Sequence, residues 1–321
     1  MKRSALVGAK VAVSTALLAY LLSTTDLAAI EERVRSADLL DLLAAVVCFV
    51  LMLALATWRW RLLLEALGAP APIRRLTASY LVATFFNNFL PSNIGGDVVR
   101  VRDSSRLTGS VATSLAVVGI DRILGFGALY LLAAVAFVAA PPAVRGLAGA
   151  RAVLLGLALL FGFLAYIFFR PGTARGLMSV SRLSSIEWVR VQFEAVQGAV
   201  HAYRAQVGRI WIAGAASVAL QALVVLYYLA VARGLGIPLP AGAAFLMVPL
   251  CTLLQAVPVS FNGWGLREGL FAHYFSQIGL PRPSALAFSL VGAGLMVLLS
   301  LSGAFVWAAR GSPSPAEPGD A

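Results

Sequence analysis

Six stretches of this chain run for about twenty residues with almost no charge, and they decide what it can fold into. They are Ala5–Ser23, Leu39–Thr57, Ile123–Ala140, Ala152–Phe169, Ile210–Ala232 and Ala285–Ala309. A hydrocarbon core about 30 Å thick is crossed by roughly 20 apolar residues in a helix, so each stretch has the length of one span. A soluble fold is excluded on the same ground. Of 321 residues, 60% are hydrophobic and 12% charged, against about 25% charged in an ordinary soluble domain. The expected fold class is all-α, a polytopic α-helical membrane protein with residues 1–310 as one transmembrane domain. Residues 311–321, rich in Pro and Ser, read as a disordered tail. Lys10 interrupts the first apolar run and no small-x-small cleavage site follows it, so that run reads as an uncleaved span and not a signal peptide.

Two further apolar stretches, Ser79–Leu90 and Ala243–Val257, are too short or too broken to cross, and are expected to be re-entrant half-spans. Each leads through an amide and a proline into a polar, glycine-rich turn and then an acidic residue. The first runs Asn88, Pro91, Gly95, Gly96, Asp97; the second runs Gln255, Pro258, Asn262, Gly263, Gly265, Glu268. Three full spans separate them, an odd number, so the turns should enter from opposite faces. The pattern is that of an inverted repeat with halves at about 39–169 and 210–309. Short, Pro- and Gly-interrupted segments in corresponding halves point to a transport site, because irregular backbone at membrane depth persists only where protein or a wet cavity surrounds it.

The net charge is +11, from 25 basic and 14 acidic residues. No basic stretch forms a domain of its own, so a nucleic-acid partner is not expected. The arginines sit between the apolar runs, where basic loops are retained in the cytoplasm. The acidic loop with Asp26, Glu31, Glu32 and Asp38 should face outward. The loop with Arg59, Arg61, Arg74 and Arg75 against Glu65, then Arg100 to Arg106, then the stretch from Arg170 to Arg209 should face inward, with the N-terminus cytoplasmic and the protein in the cell (inner) membrane. Within the last stretch Ile186, Val189, Phe193, Val196, Val200, Tyr203 and Val207 recur at helical spacing behind a Ser184–Glu187 capping pattern. Residues 185–208 are therefore an expected amphipathic surface helix joining the halves, and a docking surface if a protein partner exists.

Hydrolase, zinc-protease and nucleotide-binding motifs are missing. His201 and His273 are isolated, and Cys48 and Cys251 lie in apolar runs. No catalytic constellation, metal or cofactor is expected. What remains is ionisable groups near membrane depth: Asp97 with Arg100, Asp121 with Arg122, and Arg267 with Glu268. Such charges are costly in a bilayer and usually pair or line an interior path. Arginines and turn amides could hold a lipid phosphate. For Asp97 the alternative is a helix cap before Val98; for Asp121 and Arg122 it is a place at the water interface, if the span starts at Ile123. Trp58-Arg59-Trp60-Arg61 reads as an aromatic-belt anchor with snorkelling arginines.

Several elements together resemble one family. Trp58-Arg-Trp-Arg, Asn87-Asn88-Phe-Leu-Pro91-Ser-Asn-Ile-Gly95-Gly96-Asp97, Asp121-Arg122 and Pro258…Asn262-Gly-Trp-Gly265-Leu-Arg267-Glu268 look like the lysylphosphatidylglycerol synthase transmembrane, or flippase-like, family. The resemblance covers roughly Ala5 to Ala309. It implies a protein that moves a polar or anionic lipid, or a lipid-linked sugar, between leaflets. The soluble domain that charges the lipid with lysine in the family's namesake is not expected here, so synthase activity is not carried over. The competing readings are an accessory subunit of a lipid- or glycan-modifying complex and a membrane-embedded lipid transferase.

Overall fold

Helix starts are marked by the residues that satisfy exposed backbone amides. Asp26 Oδ1 accepts from Ala28 and Ala29 at 3.0 and 3.3 Å, Asp38 from Leu40 at 2.8 Å, and Ser110 Oγ from Thr113 at 3.2 Å. Pro72, Pro240 and Pro281 stand at three other helix starts, where a proline's missing N–H and fixed φ do no harm. The computed structural model describes residues 2–90, 95–169, 197–199, 201–257 and 259–310. Pro91 and Pro258, most of the expected helix 185–208, and the tail 311–321 lie outside the described residues.

The described chain is helical without strands. In order, the helices are α1 (Lys2–Ser23), α2 (Leu27–Arg35), α3 (Leu39–Ala66), α4 (Ile73–Phe89), α5 (Gly95–Thr108), α6 (Val111–Ala139), α7 (Pro142–Arg145), α8 (Ala150–Phe169), α9 (Val207–Gly234), α10 (Ala241–Gln255), α11 (Leu266–Gln277) and α12 (Arg282–Ala309). Helices α3, α6, α9 and α12, of 28 or 29 residues, are long and apolar enough to cross a membrane. The Val11–Ser23 part of α1 and α2 form a pair bent by 87°, a fifth span if taken as one. Helix α8 covers the run expected at Ala152–Phe169 with 20 residues.

Two expected boundaries move. Helix α3 continues past Thr57 to Ala66 and takes Arg59 and Trp60 into the bundle, while Trp58 stays exposed. Helix α6 begins at Val111 and not Ile123, so Asp121 and Arg122 lie inside a continuous helix. The hydropathy signal ended at these charges. The helix passes through them because their partners are inside the protein.

The half-spans are the helical hairpins α4–α5 and α10–α11. Contacts at the helix ends give their directions. At one end of the bundle the Asp38 N–H donates to Gly234 at 2.8 Å, Arg282 stacks over Tyr20 at 5.6 Å, and the Ala148 N–H donates to Gln277 at 2.6 Å. At the other end Arg209 meets Glu65 at 3.9 Å and Arg310 meets Asp103 at 3.1 Å. Helix α5 therefore returns to the Glu65 end and α11 to the Asp38 end. The tips meet between them, where Asn262 Nδ2 donates to the Asn88 carbonyl at 2.9 Å.

Each hairpin has its own apolar bed. Trp60, Leu63, Leu64, Leu76 and Val117 are buried around the first. Tyr227, Tyr228, Leu250, Phe271, Phe275 and Phe288 are buried around the second, with ring centroids of Phe271 and Phe288 5.0 Å apart, edge to face.

Candidate functional site

The first hairpin's return helix starts under tight constraint. Asn87 Oδ1 accepts from the Gly96 N–H at 2.7 Å, and a methyl group on Gly96 would overlap the Ala83 carbonyl oxygen. Gly95 sits as closely, with Leu90 Cδ1 2.7 Å from where a Cβ would stand. Asn88 itself donates to Thr84 O at 3.2 Å. This packing turns the first turn of α5 toward the bundle interior and carries Asp97, at its third position, with it. Asp97 is inside the helix, so it does not serve as the cap before Val98.

From there a chain of alternating charges crosses three helices. Arg122 Nε meets Asp97 Oδ2 at 2.8 Å. Arg100 Nη1 lies 3.7 Å from Asp97 Oδ1 and 2.9 Å from Asp121 Oδ2. Arg59 Nε meets Asp121 Oδ1 at 2.7 Å, and its Nη1 donates to Ser217 Oγ at 2.8 Å. Arg59, Arg100 and Asp121 are buried, at 5%, 4% and 2% exposure. The Arg100 guanidinium lies over the rings of Trp60 and Tyr80, at 4.7 and 5.0 Å. Asp121 is ten residues inside α6, about 15 Å from its end at 1.5 Å per residue, so these charges belong to membrane depth.

The chain borders a cavity of about 220 Å³ lined by Arg59, Arg100, Arg122, Asp97 and Asp121, with Thr84, Asn87, Gln221 and Thr252 among the neutral polar lining. Three guanidinium groups face two carboxylates, a surplus of one positive charge among the described residues.

The second hairpin is organised differently. Gly265 has φ of 80°, open to glycine and strained for other residues. A Cβ there would stand 2.7 Å from Leu17 Cβ. Asn262 also has positive φ, at 50°, a region in which asparagine is among the tolerated residues, while Gly263 packs against Gln255. Glu268 Oε2 accepts from the Gly265 N–H at 2.6 Å. Glu268 Oε1 receives Arg267 Nη2 at 2.6 Å and Ser289 Oγ at 2.9 Å. Arg267 also stacks on Trp264 at 4.7 Å. The pair is buried and neutral, it ties α11 to α12, and it is not part of the cavity lining.

The structure thus brings Asp97, Arg100, Asp121 and Arg122 into one site and places Arg267 and Glu268 in another. It joins Asn88 to Asn262 at the tips. Arg59, Trp60, Tyr80 and Ser217 belong to the first site but were not among the site residues expected from the sequence. Arg59 and Trp60 instead read as a membrane anchor, which the structure corrects: Trp60 is fully buried, and Arg59 holds Asp121. A helical wheel carries the signal, because residues two apart point about 200° from each other. Arg59 and Arg61 cannot both snorkel. Arg61 is the outward one, paired with Glu65 at 2.6 Å.

Paired hairpins meeting tip to tip inside a bundle of long apolar helices, with a charged cavity beside one of them, define a multi-pass membrane protein built around an interior polar site. The chain belongs to the family of the lysylphosphatidylglycerol synthase TM region, which matches residues 7–303. No curated protein matches it.

Proposed function

We propose that this protein is a translocase that carries a polar or anionic lipid between leaflets without covalent chemistry. One observation carries the reading: a cavity at membrane depth with surplus positive charge, beside a hairpin whose tip meets that of an oppositely directed one. Buried charges of this kind mark substrate paths in membrane proteins, and opposed broken helices are a common setting for alternating access. The family's name associates its members with lipid chemistry. We further place the protein in the cell membrane with the Glu65 end cytoplasmic, since Arg74, Arg75, Arg102, Arg106, Arg209 and Arg310 gather there.

The test is reconstitution into liposomes with a panel of labelled lipids and no nucleotide. Faster leaflet exchange of a headgroup-bearing lipid is the expected result. Covalently altered lipid, or no exchange across the panel, overturns the reading.

A further inference from the structure

We propose that the cavity accepts a headgroup carrying a single negative charge, a phosphodiester lipid, and discriminates against diphosphate-linked and uncharged lipids. The inference rests on the translocase reading only for the direction in which the lipid then moves. The charge rule itself stands on the site.

Among the described residues, the surplus charge can be assigned to one residue. Asp121 is matched by Arg59 at 2.7 Å and Asp97 by Arg122 at 2.8 Å. Arg100 touches both carboxylates, at 2.9 and 3.7 Å, but each already has a guanidinium of its own. Arg100 is only 4% exposed, and its Nε and Nη2 make no hydrogen bond. The faces of Trp60 and Tyr80 cushion that charge, yet an aromatic face offsets only part of the desolvation of a cation. A monoanion in the cavity brings the site to neutrality. A diphosphate diester, with two negative charges, leaves it net negative beside two buried carboxylates. An uncharged lipid leaves Arg100 as it is.

Size and lining agree. At about 220 Å³ the cavity is below the roughly 300–1,000 Å³ of pockets for drug-sized ligands, which suits one phosphate and a small headgroup better than a diphosphate sugar. Thr84, Asn87, Gln221 and Thr252 offer neutral hydrogen bonds to hydroxyls. The second hairpin does not alter the count, because Glu268 neutralises Arg267.

The experiment is ligand competition on the purified full-length chain in neutral detergent, read by native mass spectrometry. The probes are dihexanoyl phosphatidylglycerol, the diphosphate diester geranyl methyl diphosphate, dihexanoylglycerol and the acyl-free diester glycerophosphoglycerol. Phosphatidylglycerol is expected to bind at least tenfold tighter than geranyl methyl diphosphate and dihexanoylglycerol. Asp97→Asn, which raises the surplus to two, should move preference toward geranyl methyl diphosphate by a similar factor. Should that variant fail to fold, Arg122→Gln, at a side chain 37% exposed, removes the surplus. It should erase the preference of phosphatidylglycerol over dihexanoylglycerol.

Equal or tighter binding of geranyl methyl diphosphate or dihexanoylglycerol, or an unchanged preference in Arg122→Gln, overturns the proposal. Glycerophosphoglycerol binding as tightly as the lipid keeps the charge rule and assigns the site to a soluble diester. Leaflet exchange is scored separately. Selective binding without exchange removes the translocase reading alone, and exchange without charge preference removes the charge rule alone.

Discussion

At the scale of single residues, mutations of the buried charge pairs should cost folding, whereas mutation of the partly exposed Arg122 should cost transport. Arg59→Ala leaves Asp121 buried with one guanidinium fewer, and breaking such a pair typically destabilises by about 3–5 kcal/mol. Thermal unfolding in detergent should show that loss, with part of it recovered in Arg59→Ala/Asp121→Ala. Glu268→Ala strands Arg267 and the Gly265 amide together, so folded yield should fall in step with exchange. Arg122→Ala should leave yield near wild type and lower exchange. Asp97, Arg100, Asp121 and Arg122 were legible in the sequence because charge in an apolar context is rare. Arg59 was not, since beside Trp58 and Trp60 it looks like an interfacial anchor and its partner is 62 residues away. Whether an arginine reaches water or a distant aspartate depends on which face the helix turns inward. Local hydropathy does not contain that information.

At the scale of elements, hairpin direction is the feature most open to measurement. Single cysteines replacing Arg106 near the end of α5 and Ser276 near the end of α11 are both exposed. In a background lacking Cys48 and Cys251, an impermeant thiol reagent on intact cells should label position 276 and spare position 106. Labelling of both from one side would remove the opposed arrangement. The hairpins themselves were readable from the sequence, as apolar runs too short to cross that end in Pro and Gly. Their exact packing was not: Ser104, in α5, and Ser284, at the start of α12, are buried at 0% and 1%, because α5 and α12 turn those faces toward neighbouring helices. The start of α6 was also hidden, since Asp121 and Arg122 end the hydropathy peak without ending the helix.

At the scale of the whole molecule, the hairpin tips close the interior where Asn262 reaches the Asn88 carbonyl. Cysteines at positions 88 and 262 joined by a short cleavable thiol crosslinker should stop lipid exchange, and cleavage should restore it. Unimpaired exchange in the joined protein would place the route elsewhere. Helix α12 touches both hairpins. Near its start Ser289 bonds Arg267 and Glu268 of α11. Further along, Gly303 packs directly on the Leu81 backbone of α4, and Arg310 pairs with Asp103 of α5. With 28 residues it is a rod about 42 Å long at 1.5 Å per residue, and packed helices transmit displacement more readily than they absorb it. A rod fastened at both ends acts as a lever. Displacement of one hairpin is expected to reach the other through α12, so the two faces would not open independently and leave a continuous leak. Spin-label distances across the Glu65 end and the Asp38 end should therefore change together, and Gly303→Leu, which wedges the lever from α4, should uncouple them.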